Sequence, residues 1–244
     1  MIGEIRKFHT FDELSASVAE DIDSLINRVV CSKGIFYLAL SGGNTPRTLY
    51  RILGTTYREA IPWGSVHIFF CDERFVSHED SQSNFRMTKE NLLDLISIPQ
   101  ENIHSIPTDR SDIKVAARDY EIELRKFFSG GVNSFDLAIL GIGREGHTAS
   151  LFPGSPALDE KEKWVLGVEV DALPPRRITL TYPILNRSSV IYLIVSGSGK
   201  AEIMREILKG VNDFHVCPAS GIRPLNGRLV WQIDFPALPN ETRK

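Results

Sequence analysis

Cysteine is nearly missing from this 244-residue chain: Cys31, Cys71 and Cys217 are the three present. They are too few and too scattered for a disulfide framework, and none stands in a C-x-x-C pair, which argues against zinc knuckles and thioredoxin-type redox sites. Two of them border apolar runs, where a reduced core thiol is expected. Long hydrophobic runs are also lacking. No stretch approaches the roughly 20 apolar residues of a membrane helix, and the N-terminus carries Glu4 without the apolar stretch of a secretory signal. The expectation is a cytoplasmic, soluble protein without a membrane partner. Charge of one sign is not in excess: 28 Lys and Arg face 31 Asp and Glu, a formal net charge of −3. With the basic residues dispersed, no nucleic-acid partner is expected. No clustered His and carboxylate spacing suggests a metal. Internal repeats, low-complexity tracts and Gly/Ser linkers are absent too.

What is present is ordinary for a globular protein, 42% hydrophobic and 24% charged. A chain this long buries about 70% of its extended surface on folding. One α/β domain over residues 1–244 is expected, as a monomer or weak homodimer. Thr10-Phe11-Asp12-Glu13 fits a capping box, with Glu13 reaching back to the cap. Leu14, Val18, Leu25 and Val29 then recur at helical spacing, and Gly34 supplies a stop. Short apolar runs at 35–40, 66–70, 135–140 and 189–195 alternate with helical segments: one from Pro46 through Leu53, and others over 83–96, 112–128 and to about Lys209. Continuous apolar strands separated by helices predict a doubly wound, mostly parallel sheet with helices on both faces. Residues 164–182, broken at Pro174-Pro175, read as a small β excursion.

Each of the four strands ends in a glycine or charged cluster, and in open α/β sheets ligands bind beyond such ends. Ser41-Gly42-Gly43-Asn44-Thr45-Pro46 allows a tight turn into a helix whose free N–H groups suit a phosphate, although alone it is also an ordinary strand-to-helix turn. Asp72-Glu73-Arg74 offers a cation for phosphate and a carboxylate for sugar hydroxyls, or simply a surface ion pair. Lys200 sits at a helix start, an unfavourable place for a cation unless an anion joins it. Gly141-Ile142-Gly143-Arg144-Glu145-Gly146 matches G-x-G-x-x-G, but it lies in mid-chain, Pro153 soon interrupts any helix, and no acidic strand end follows at the right distance. Gly199-Lys200 is no Walker loop either, since Ile194 and Ala201 stand where glycine and Ser/Thr are needed. His147 alone among six histidines has a glycine-rich strand-end setting. An imidazole, with an ordinary pKa of about 6.5, is mostly neutral at pH 7 and suits a general base.

The motifs Leu40-Ser41-Gly42-Gly43-Asn44-Thr45-Pro46, Asp72-Glu73-Arg74-Phe75-Val76, Ser83-Asn84, residues 141–153 (GIGREGHTASLFP), Arg176-Arg177-Ile178-Thr179 and Gly199-Lys200-Ala201 keep this order over about 160 residues. Together they resemble the 6-phosphogluconolactonase family, within the wider group that includes glucosamine-6-phosphate deaminases. The resemblance implies hydrolysis of 6-phosphogluconolactone to 6-phosphogluconate in the oxidative pentose phosphate pathway, with no cofactor and a sugar phosphate as small-molecule partner. It implies His147 as general base, Arg74, Lys200 and Ser41-Gly42-Gly43 as phosphate contacts, Asp72 as a site carboxylate and Arg177 as a further anion contact. Glu145 stands where the family often has Asp, and Arg144 where proline is common. The deaminase relatives typically carry a glutamate five residues after the histidine, where this chain has Phe152. A phenyl ring cannot transfer a proton, so lactone hydrolysis is favoured. A deaminase or isomerase, and a sugar-phosphate-binding module without turnover, are the competing expectations.

Overall fold

The computed structural model describes residues 3–131, 133–210 and 212–239. Strand β1 (Glu4–Phe8) leads into helix α1 (Phe11–Lys33). Thr10 caps that helix, its hydroxyl accepting from the Glu13 N–H at 3.1 Å, while the Glu13 carboxylate reaches one residue further back than expected, to the His9 N–H. Gly34 ends the helix in the left-handed conformation at φ 80°. Leu14, Val18, Ile22 and Ile26 form its buried stripe, each contributing roughly 1.5–3 kcal/mol of burial.

The chain continues through β2 (Phe36–Leu40), α2 (Asn44–Thr55), β3 (Val66–Phe70), β4 (Asp72–Arg74), α3 (Asn84–Asn91), β5 (Ile103–His104), α4 (Ile113–Phe128) and β6 (Leu137–Gly141). It then forms β7 (Val165–Glu169), β8 (Arg176–Leu180), the single turn α5 (Tyr182–Leu185), β9 (Val190–Val195), α6 (Ala201–Leu208) and β10 (Arg228–Asp234). Seven strands make one parallel sheet in the order β1-β10-β9-β6-β2-β3-β5. From β2 the chain advances to β3 and β5; from β6 it advances the other way, to β9 and β10. Right-handed crossovers in opposite directions put the connecting helices on opposite faces, and α1 packs on α2, which packs on α3. This is the doubly wound α/β architecture expected from the sequence.

The reversal of strand order falls between β2 and β6. There the ladder has only two register pairs, Leu38 with Leu137 and Ala39 with Ala138, whereas β2 and β3 stay paired to Leu40 and Phe70. The two central strands therefore part at their carboxyl ends, where a crevice is expected in such sheets.

The small β excursion is present as the β7–β8 hairpin, and its turn carries a cis Leu173–Pro174 bond. It recruits a strand not anticipated: residues 72–74, read as a loop, form β4 and pair antiparallel with β8, giving the order β4-β8-β7. The helix expected over 83–96 ends at Asn91, because Leu92 leaves helical geometry at φ −139° and Leu93–Leu95 tighten into a 3-10 turn. Strands β1 and β10 were also not anticipated.

Candidate active site

A cavity of about 530 Å³ opens at the strand reversal. Eight of the residues singled out from the sequence lie on its wall: Ser41, Gly42, Gly43, Asp72, Arg74, His147, Arg177 and Lys200. Glu145 stands behind His147 instead.

The loop after β6 fixes the imidazole from several sides. Glu145 Oε1 lies 2.7 Å from His147 Nδ1. An ionised carboxylate only accepts, so the proton sits on Nδ1 and the Nε2 lone pair is left free. Burial works to raise the Glu145 pKa, but its own backbone N–H, the adjoining His147 and the charge of Lys200 outweigh it and hold the carboxyl below its usual range. The Phe152 ring stacks on the imidazole, centroids 4.1 Å apart and planes 14° off parallel. Gly143 makes room for the pair: a Cβ there would fall 2.0 Å from His147 Nδ1 and 2.8 Å from Glu145 Oε2. Two backbone bonds anchor the loop, Gly143 N–H to the His147 carbonyl at 2.8 Å and Ala219 N–H to the Gly146 carbonyl at 2.9 Å. Ala149, on the cavity wall, is held at φ 47°, a conformation costing an alanine on the order of 1–3 kcal/mol.

Strand β4 carries two carboxylates with different roles. Asp72, 6% exposed, accepts from Ser150 Oγ at 2.7 Å and Asn84 Nδ2 at 3.1 Å, which fixes its orientation at the cavity edge. Gly42 is required by this arrangement, because a Cβ there would sit 1.7 Å from Asn84 Oδ1. Glu73 faces away and receives the Arg74, Asn84 and Phe85 N–H groups and the Ser83 hydroxyl. It caps α3; burial pushes its pKa up to about 7 against the pull of those donors.

The cations divide similarly. Arg74 spends Nη1 on the Gln82 carbonyl at 2.6 Å, while its buried Nε has no hydrogen-bond partner. Lys200 ends the 3-10 turn Ser198–Lys200 before α6; burial lowers its pKa, Arg144 adding to the effect and Glu145 opposing it. Arg177 donates Nε to the Pro174 carbonyl and Nη2 to the Leu173 carbonyl. It is thus partly a strut for the β7–β8 turn, and burial together with the charge of Arg74 pulls its pKa down. Ser41 gives its hydroxyl proton to the Ile139 carbonyl at 2.7 Å, so it offers the cavity an acceptor but no side-chain donor. Helix α2 begins after Gly43, at φ 103°, with no side-chain cap; its first N–H groups are suited to an anion.

Sequence reasoning gave no role to Asn84, Ser150 or Gly143, and noted Phe152 only for the carboxylate it lacks. Asn84 and Ser150 act through Asp72, across 12 and 78 residues of chain, which local patterns do not register. The glycines at 42 and 143 were the available signal, since each implies another group pressing close.

The model of the family "glucosamine-6-phosphate isomerases/6-phosphogluconolactonase" matches residues 9–231. A 6-phosphogluconolactonase of Synechocystis sp. is 39% identical over 222 residues, covering 90% of each chain. The crystal structure of a 6-phosphogluconolactonase from Thermotoga maritima superposes with a TM-score of 0.82 at 32% identity, covering 95% of this chain and 99% of that one. A monomeric glucosamine-6-phosphate deaminase shares the fold, with a TM-score of 0.81 at 24% identity over 96% of this chain and 98% of its own.

Proposed function

The chain belongs to the glucosamine-6-phosphate isomerase/6-phosphogluconolactonase family, and on that premise we propose that it hydrolyses 6-phosphogluconolactone to 6-phosphogluconate, the lactone-opening step of the pentose phosphate pathway. The observation that carries the reading is the Glu145–His147 pair facing a cavity that also holds Arg74 and Lys200. A base with a free lone pair thus shares one space with cations for a phosphate.

In this reading water attacks the lactone carbonyl carbon while His147 Nε2 takes its proton. Glu145 accepts the Nδ1–H hydrogen bond throughout, the proton staying on the ring, and stabilises the imidazolium that forms. The tetrahedral intermediate then collapses, the bond from carbon to the ring oxygen breaks, and His147 returns the proton to that oxygen. Arg74, Lys200 and the N–H groups at the start of α2 hold the phosphate, and Asp72 orients the sugar or the water. Fixing the far end of the substrate in this way lowers the barrier at the carbonyl by orientation. No step needs a metal or cofactor.

The deaminase alternative is disfavoured by Phe152, whose ring stacks on His147 where those relatives carry a glutamate. The test is turnover by purified protein on two substrates. Proton release from 6-phosphogluconolactone above the spontaneous rate, without ammonia from glucosamine 6-phosphate, is expected. Ammonia release would transfer the chain to the deaminases, and tight 6-phosphogluconate binding without turnover would make it a binding module.

A further inference from the structure

We propose that Arg144 is a third cation of the phosphate subsite, beside Arg74 and Lys200, and sets this enzyme's preference for a phosphorylated lactone, a proposal that rests on the lactonase reading above. The Arg144 side chain is exposed overall, yet it reaches the cavity wall. Its guanidinium lies against the backbone of Gly199: a Cβ built there would sit 3.2 Å from Arg144 Nε and 3.6 Å from both Cζ and Nη2. The next residue is Lys200, on the same wall. Glycine at 199 lets an arginine from the loop after β6 lie close across the turn after β9, where a side chain would push it out by a few tenths of an ångström.

Two features give this contact a function. Among the described residues no carboxylate forms an ion pair with Arg144, whereas other surface arginines such as Arg86, Arg110 and Arg125 each have one. The charged form of Lys200 is disfavoured chiefly by burial, and Arg144 is close enough to add to this against the opposing charge of Glu145. Two like charges side by side are unfavourable unless a shared anion offsets them. A phosphate dianion bridging the two would do so, and a guanidinium presents paired donors that match phosphate oxygens. The charge balance agrees: Arg74, Arg144, Arg177 and Lys200 line the wall with one carboxylate, Asp72, so that even with Glu145 behind His147 the cations are in excess.

The experiment compares wild type, Arg144→Ala and Arg144→Lys on 6-phosphogluconolactone and on unphosphorylated gluconolactone. Spontaneous hydrolysis is subtracted, and calorimetry measures 6-phosphogluconate binding. The ratio of kcat/KM for the phosphorylated over the unphosphorylated lactone should fall about 5–20-fold in Arg144→Ala, as for a charge-assisted contact partly screened by solvent. The product should bind more weakly by a similar factor, and lysine should recover part of both. An unchanged ratio with unchanged product affinity would overturn the proposal. So would equal loss on both lactones, which would place Arg144 at the reacting carbon. If wild type hydrolysed neither lactone, the lactonase reading would fail, while the 6-phosphogluconate arm would still decide whether Arg144 holds a phosphate.

Discussion

Replacing Gly143 with alanine isolates the geometry of the His147–Glu145 pair without removing either group. The new Cβ would fall 2.0 Å from His147 Nδ1 and 2.4 Å from Cε1, where ordinary contact begins near 3.4 Å, so the ring must retreat by about 1.4 Å. Gly143 does not occupy the positive-φ region, so alanine adds no backbone strain there. The cost therefore falls on the His147 and Glu145 side chains and their contacts rather than on the backbone, and the fold should survive. A misplacement of about 1 Å costs roughly 10²-fold in rate, equivalent to about 2.7 kcal/mol of barrier. The assay is lactone hydrolysis followed by proton release, with spontaneous opening subtracted, beside a thermal melt and 6-phosphogluconate binding. The account expects kcat to fall about 10²-fold, with Tm within a few degrees of wild type and product affinity nearly kept. A variant with wild-type kcat would refute the claim that the imidazole must sit where Gly143 lets it.

Three further outcomes follow from the same structure. Glu145→Gln keeps an acceptor near Nδ1 but removes the charge; kcat should fall about tenfold, the lower range for a charged hydrogen bond at a half-exposed site, and an unchanged kcat in the lactone assay would remove Glu145 from the mechanism. Lys200→Ala should raise KM for the phosphorylated lactone by about tenfold or more while sparing unphosphorylated gluconolactone, as expected when a charge-assisted contact is lost; equal KM changes on both would contradict the phosphate assignment. His67 and His104, joined Nδ1 to Nε2 at 2.9 Å, both have pKa values lowered chiefly by burial. Below the ordinary histidine pKa of about 6.5 these two rings bind more protons in the unfolded chain than in the folded one, so their contribution to stability falls as pH drops through that range. Glu73, raised to about 7, acts in the opposite sense. The pair's share is therefore read by comparing melts of wild type and His67→Phe/His104→Phe from pH 7.5 to 5. The variant is expected to lose less stability, or gain more, on acidification, and identical pH dependence would contradict this.

The parts of the fold legible in the sequence were those whose pattern is local. The apolar runs leading into Ser41, Cys71, Gly141 and Ser196 mark strands because both faces of a parallel sheet are covered. Thr10 and Gly34 mark helix ends because capping uses neighbours in the chain. Strand β1, with three charged residues in EIRKF, gave no such signal; Glu4 is tied to Arg228 of β10 across the whole chain. Strand β10 buries Gln232 and Asp234, polar residues that make its sequence read as surface. The short strand β4 is entirely charged, and its burial depends on Ser150, Asn84 and the start of α3. The site followed the same division. His147 and Lys200 stood out beside their glycines and Arg74 in its charged strand-end cluster, but that Ser41 and Arg177 spend donors on backbone carbonyls became visible only in three dimensions.

The most direct measurement of the central claim is the catalysed rate of His147→Ala on 6-phosphogluconolactone, with spontaneous hydrolysis subtracted and 6-phosphogluconate affinity measured alongside. Loss of a general base predicts a fall of roughly 10²–10⁴ in rate with product binding largely retained. A variant that opens the lactone at the wild-type rate would contradict the account.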